Sequence, residues 1–453
     1  MKYKSPIIVL SLLALATIAP PPNTPAGVYM DPQVVIPVAM LLFFGVRLSS
    51  GPLEVVPFRL VVGLFVAVII LGIFSSLVEG QGNFYGTLRL IKALVMLLGA
   101  VLFINFVREN WGIDFIRSRI PIWIYLLIGL NGIVMVAEFY SPAFYEFVRK
   151  TTLAGGYTSI LWDPTGEYRM PGLSLSGGAQ ISLFQSMGLL MYPILVISER
   201  RMTRVMLYSV LLIVNIFSVS ISGRSGFYNV AIVAPIIFLL LIYDAHRFNF
   251  RKVWKQATAV IVVLGVAVAL TGYAIYFPDL IADNYSTTLA TAISRNTDFI
   301  GGQDAGFLKN ATIESLWYDH LIWPTDISTW IFGNPDVMED RGITRPLESD
   351  IGYIIMLHAF GVFSSVLQTL INLVPLLMAI RYRHHAFRLG YATIIVTASV
   401  LFFNAKEVMF FTRMAWPMQM FLWCAFVYSL EEYRVDWFQK NRRKLVEHLP
   451  RVA

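Results

Sequence analysis

Residues 58–78 read FRLVVGLFVAVIILGIFSSLV, a run whose only charge is Arg59 at its start. An α-helix rises about 1.5 Å per residue and the hydrocarbon core of a bilayer is about 30 Å thick, so a run of about 20 apolar residues is a membrane span. The run shows none of the in-out alternation that an outer-membrane strand requires. Runs of the same character recur at 6–20, 33–47, 88–107, 120–139, 178–198, 204–221, 226–243, 257–277, 350–380, 387–404 and 411–430. The expected fold is therefore an all-α polytopic membrane protein with about 12 transmembrane helices. Composition agrees: 57% of the 453 residues are hydrophobic and 14% charged, against about 25% charged in soluble domains. The start of the chain, Met1 to Lys4 before an apolar stretch that ends at Pro20-Pro21-Pro22, has the outline of a signal peptide but no small-x-small cleavage site, so it reads as an uncleaved first helix.

The single cysteine, Cys424, excludes a disulfide framework and a Cys-based zinc site, and its apolar surroundings make it a small buried hydrophobe. The net charge of +7 invites a nucleic-acid reading, which the distribution of charge removes. Sorted by alternate loops, 23 of the 35 Lys and Arg fall in one set, which holds the shorter loops and both termini; 19 of the 28 acidic residues fall in the other. The positive-inside rule then places both termini in the cytoplasm, and the basic excess is a topology signal reinforced by anionic lipid. The tail 431–453, with Arg442-Arg443-Lys444, reads as a basic interfacial segment.

Two external loops, 140–177 and 278–349, are too long for plain connectors. The second carries Leu316-Trp317-Tyr318, Ile322-Trp323 and Trp330-Ile331-Phe332, so it is expected to fold on the outer face of the membrane, where the chemistry is also expected. No Walker loop, dinucleotide fingerprint, H-E-x-x-H or nucleophile elbow is present. His320 and His358 lack partners at metal-ligand spacing, so neither a metal nor a cofactor is expected.

Three external groups stand out. Arg224 lies in Ser220-Ile221-Ser222-Gly223-Arg224-Ser225-Gly226, a very short turn between two spans. It brings backbone N–H groups, a helix N-terminus and a guanidinium to one point, as a phosphate or pyrophosphate site needs. The plain alternative is a tight turn with a snorkelling arginine. Arg169 lies in Tyr168-Arg169-Met170-Pro171-Gly172-Leu173-Ser174-Leu175-Ser176-Gly177-Gly178, which enters a span carrying Gln180 and Gln185. The segment suits an anion or a sugar, or is an ordinary helix start capped by Ser176. Arg341, Arg345, Glu348 and Asp350 precede the tenth span. Arginine clamps phosphate and a nearby carboxylate can serve as general base, although a solvated loop end capped by Asp350 has the same sequence.

These segments, in this order, resemble the bacterial O-antigen polymerases (Wzy) and the related O-antigen ligases (WaaL). The likeness rests on the Arg169/Gly172 segment, the Ser222-Gly223-Arg224-Ser225-Gly226 turn, Phe332-Gly333-Asn334 in a large late loop, and Ser349-Asp350-Ile351-Gly352-Tyr353-Ile354 followed by Gly361. It covers about residues 165–365. It implies an inner-membrane glycosyltransferase of the GT-C type with a large periplasmic loop. Its substrates would be undecaprenyl-pyrophosphate-linked glycans as donor and acceptor, with no metal, and a Wzz-type chain-length regulator would be its partner. The ligases generally carry a His-Asn pair where this chain has Asp350-Ile351, which favours the polymerase. On that reading Arg169, Arg224, Arg341 and Arg345, with Ser222, Gly223 and Ser225, hold pyrophosphate. Asp350, or else Glu348 or His320, takes the proton of the attacking hydroxyl. A ligase of the same fold and a flippase are the alternatives. A flippase needs functional charge deep in its spans, where Asn131, Asn215 and Asn372 are the polar exceptions.

Overall fold

The computed structural model describes residues 6–20, 32–45, 56–78, 83–151, 172–173, 178–222, 225–244, 318–338, 347, 349, 351–412 and 414–448. In chain order the helices are α1 (Ile7–Thr17), α2 (Pro32–Gly45), α3 (Val56–Val78), α4 (Tyr85–Trp111), α5 (Ile113–Tyr140), α6 (Pro142–Thr151), α7 (Gly178–Ser198), α8 (Met202–Ser222), α9 (Ser225–Asp244), α10 (Ile327–Ile331), α11 (Gly352–Tyr382), α12 (Phe387–Phe403) and α13 (Ala415–His448). Single 3-10 turns lie at Pro335–Met338 and Arg383–His385. No strand occurs among the described residues.

Among the described residues seven helices are long and apolar enough to cross a membrane: α3, α4, α5, α7 from Gln180, α8, α9, and α11 with the 3-10 turn after it. The chain thus has the character of a polytopic helical membrane protein. The expected span at 6–20 forms a helix of 11 residues, short of the about 20 that a perpendicular crossing takes, and the expected span at 33–47 is helical over its described part, to Gly45. Prolines bound both: Pro6 caps α1, and α2 starts on Pro32, whose fixed φ suits a first helical position. The run at 257–277 lies outside the described residues. The tail continues α13 as helix to His448 rather than starting a new element.

Between helices in lipid there is no hydrophobic driving force, so cohesion comes from dispersion contacts and interhelical hydrogen bonds. α13 occupies the centre, and Phe421 to Val427 are all fully buried, the pattern of a helix that is apolar all round. Phe58 and Phe103 meet Trp423 and Phe421 edge to face, and the Trp416 indole donates to the Ala93 carbonyl. α3 and α9 lie at the periphery and present Leu60, Ile70, Leu77, Phe238, Leu239 and Ile242 outward, as a lipid-facing surface does.

At one end of the bundle α5, α8 and α12 finish, and α4, α7, α9, α11 and α13 begin. The opposite end is tied by buried ionic groups. Arg383 donates to Asp244 through Nε (2.8 Å) and Nη2 (3.1 Å), and Tyr391 adds its hydroxyl at 2.9 Å. Glu199 meets Arg204 at 3.4 Å and Arg388 at 3.6 Å. Burial pushes the Glu199 carboxyl up, but the N–H groups of Arg201 and Arg200 and the Arg204 guanidinium outweigh it and hold the pKa below the usual range.

Candidate functional site

The turn joining α12 to α13, residues 404–414, organises the other end. Asn404 is fully buried, and its Oδ1 accepts from the N–H of Met409 (2.9 Å) and Phe410 (3.2 Å). The turn is strained: Phe411 has φ 58°, a conformation L residues rarely adopt. Its ring is held between Phe65 and Trp416, and Arg89 from the start of α4 donates to the Phe410 carbonyl at 3.1 Å. A strained residue fixed from several sides at one end of a bundle is the kind of backbone that functional loops use. Asn404→Ala would orphan two buried N–H groups at about 1–3 kcal/mol each. A lower melting temperature in detergent is the expected result, and an unchanged one would show that the turn holds itself.

Three segments singled out by sequence border this turn. At the head of α9, Lys406 Nζ lies 2.9 Å from Ser225 Oγ and 5.9 Å from the Tyr228 ring centre. Gly226 donates its N–H to Ser182 Oγ at 2.7 Å, and a Cβ on it would come within 2.5 Å of the Ser182 carbonyl, so α9 and α7 touch backbone to side chain there. At the head of α7, Gln180 donates to Glu407 Oε1 (3.4 Å) and to the Val408 carbonyl (3.3 Å). At the head of α11, the Tyr353 N–H donates to the Asn404 carbonyl (3.1 Å), and Gly352 approaches Asn404 and Glu407 so closely that a Cβ would not fit.

Of the predicted site residues, Ser222 and Ser225 are described. Ser225 faces Lys406, whereas Ser222 turns its hydroxyl back to the Val219 carbonyl in its own helix. Gly223, Arg224, Arg169, Arg341, Arg345, Glu348 and Asp350 lie outside the described residues. His320 lends its backbone carbonyl to Ser349 Oγ (2.6 Å), and His358 Nε2 pairs with the Ile322 carbonyl (2.9 Å).

Part of the large loop folds against α11. That helix is broken at Gly361 (φ 72°, ψ 173°), and the chain around Gly333 packs into the break, where the Asn334 N–H reaches the His358 carbonyl. Asp336 accepts from Asn83, which ties the loop to the start of α4. Trp323 and Trp330 stack in parallel with centroids 5.8 Å apart, and Trp323 is half exposed.

Sequence reasoning passed over Lys406 and Glu407, two charges between apolar runs counted only in the loop tally. A charged pair beside Asn404 in a turn too short to need one was the available signal. Glu138 was also missed: it is 2% exposed near the end of α5 and accepts the Gly172 N–H at 2.8 Å. No protein-family model matches the chain, and no curated protein matches it either.

Proposed function

We propose that the chain is a metal-independent glycosyltransferase that joins polyprenyl-pyrophosphate-linked oligosaccharide repeats, an O-antigen or related polysaccharide polymerase. The observation that carries this reading is the meeting of the heads of α7, α9 and α11 around Asn404 to Phe410, with Lys406 against Ser225. These heads are the ends of three of the four segments on which the resemblance rests. The remaining features of the proposal are about twelve spans, a GT-C architecture, an inner-membrane location with both termini cytoplasmic, and a periplasmic site. A chain-length regulator would be its partner.

In the proposed reaction a hydroxyl oxygen of one lipid-linked glycan attacks the anomeric carbon of another. The bond from that carbon to the pyrophosphate oxygen breaks, and undecaprenyl pyrophosphate leaves with the electron pair. The hydroxyl proton passes to Asp350. Charge gathering on the leaving oxygens is met by the cations of Arg224, Arg169 and Lys406, which a transfer without a metal needs there. Tethering both substrates in one membrane supplies proximity.

Deleting the gene and resolving the cell's lipopolysaccharide on a gel should leave cores bearing one repeat. Bare cores would indicate the ligase, and a full ladder would end the reading. Arg224→Ala and Arg169→Ala should abolish the ladder with the protein still in the membrane. Lys406→Ala removes one stabilising cation and should lower the rate about 100-fold; a normal ladder removes Lys406 from the site. Asp350→Asn tests the base in the same way, normal polymer length excluding it.

A further inference from the structure

Residues 318–338 leave several large apolar side chains uncovered by the described residues. Ile327 is 77% and Tyr318 78% exposed, and Trp323 and Ile331 are exposed as well. Ile327 and Ile331 stand four apart on α10 and so share one face of that short helix. The patch is held in shape rather than collapsed on itself. The Trp330 indole donates to the Pro324 carbonyl at 2.8 Å while its ring stacks on Trp323, and Asp326 caps α10 by accepting the Thr329 N–H at 2.7 Å. Apolar side chains fixed in an exposed position mark contact with another molecule or another phase.

The level of the patch follows from what it touches. Phe332 meets Phe74 of α3 with ring centroids 5.5 Å apart. Phe74 lies about 6 Å before the end of α3, and Leu77 and Val78 beyond it still face outward. The loop therefore reaches α3 while that helix is still in its lipid-facing run. On α11 the contact falls at Gly361, against the Ile331 carbonyl. Residues 362–382, past the break, number about 20 and suffice to cross the hydrocarbon without the first turns of the helix. Phe363, Val366, Leu370 and Leu377 are exposed along one face of that part, spaced as lipid-facing residues are. The lipid-facing surfaces of α3 and α11 thus both run up to the patch.

We propose that α10 with its flanking aromatics is a docking surface for the bilayer interface: Ile327 and Ile331 enter the acyl-chain boundary, and Tyr318 and the Trp323–Trp330 pair lie at headgroup level. The segment carries Asp319, Asp326 and Asp336 and no Lys or Arg, so apolar burial rather than attraction to anionic lipid holds it. A glycan stacks on aromatic faces and forms hydrogen bonds, and two isoleucines serve neither purpose. A water-soluble protein would have to share the patch with the lipid that meets Phe363 and Leu77. Docked in this way, the loop that packs into the break of α11 is fixed to the membrane as well as to the helix. The docking does not depend on what the protein catalyses.

The test uses full-length protein carrying Ile327→Cys. Cys424 is the one native cysteine and is fully buried, so a nitroxide reagent labels position 327 alone. In nanodiscs of phosphatidylcholine, oxygen concentrates in the lipid and a nickel chelate stays in the water. The ratio of oxygen to nickel relaxation at position 327 should be several-fold above that of free label in buffer. Leu370→Cys supplies the lipid-facing reference, and Ile331→Cys should behave as Ile327→Cys does. Adding phosphatidylglycerol should leave both ratios unchanged. A ratio like that of free label overturns the proposal, and quenching of tryptophan fluorescence by added sugar in the same sample would then give the patch to a glycan. Poor access for both reagents overturns it too, because protein would then cover the patch. A lipid-like ratio that requires phosphatidylglycerol would replace apolar docking by an electrostatic one.

Discussion

Gly361→Ala is expected to unseat residues 330–334 from α11 and to cost about 3 kcal/mol or more. Gly361 combines φ 72° with ψ 173°, a region that is essentially restricted to glycine and costs other residues about 1–3 kcal/mol. A Cβ there would stand 2.1 Å from the Ile331 carbonyl oxygen, and because both partners are backbone neither can rotate away, adding an overpacking cost of about 1–3 kcal/mol. Gly333 makes the reciprocal contact, with φ 79° and only 2.4 Å from a built Cβ to the Phe360 N atom. The two glycines let two backbones lie against each other, and the Asn334 N–H to His358 carbonyl bond closes the contact. Limited proteolysis of the 318–338 region should accelerate in the variant and its melting temperature should fall. Proteolysis and melting like the wild type would mean that the loop is held by Asn83–Asp336 and the Phe74–Phe332 ring contact instead.

The glycines also show where sequence reading reaches its limit. An apolar run such as 350–380 announces a helix through its length and its lack of charge after Asp350. A single glycine inside it is compatible with helix, and only the partner backbone at Gly333 explains why the helix breaks there. The spans from α3 to α5 and α7 to α9 were legible to within a few residues for α3, α7, α8 and α9, because long apolar runs leave little choice of structure in lipid. The ends of α4 and α5 were less so: α5 starts at Ile113, well before 120, since Asp114, Arg117 and Arg119 lie on a helical extension beyond the apolar run.

The candidate site was legible in part for a related reason. Ser225, Gln180 and Tyr353 head helices that follow polar or glycine-rich segments, a pattern visible in one dimension. Lys406 meets Ser225 across 181 positions of chain, and Gln180 meets Val408 across 228, so no local pattern could pair them. Asn131 and Asn215 were noticed as polar exceptions in their spans. That Asn215 fills the space over Gly188 and Gly132 emerges only when the helices are laid side by side. Arg383 and Arg388 illustrate the converse. Each counted as one more positive charge in a cytoplasmic loop, yet Arg383 is buried on Asp244, and Arg388 donates to the Ser198 hydroxyl and carbonyl.

That burial makes Asp244→Ala the second large effect, an expected loss of about 3–5 kcal/mol. Arg383 is 7% and Asp244 3% exposed, and the guanidinium meets the carboxylate through two parallel N–H bonds, with Tyr391 as a third donor. Removing the carboxylate leaves a cation that cannot be neutralised, since arginine does not deprotonate in proteins, in a place that water does not reach. The cost therefore reflects the stranded charge more than the lost attraction, and the two contributions separate experimentally. Asp244→Leu combined with Arg383→Met removes both charges and should recover most of the melting temperature lost in Asp244→Ala, while Tyr391→Phe should cost only about 1 kcal/mol. A double variant no more stable than Asp244→Ala would show that the pair contributes net attraction, and a melting temperature unchanged in Asp244→Ala would mean that Arg383 reaches solvent once released. Because the pair ties the end of α9 to the 3-10 turn between α11 and α12, and Tyr391 of α12 joins it, the loss should also loosen α9 and α12. Hydrogen exchange at 240–244 and 387–391 should rise in Asp244→Ala and return toward the wild-type rate in the double variant.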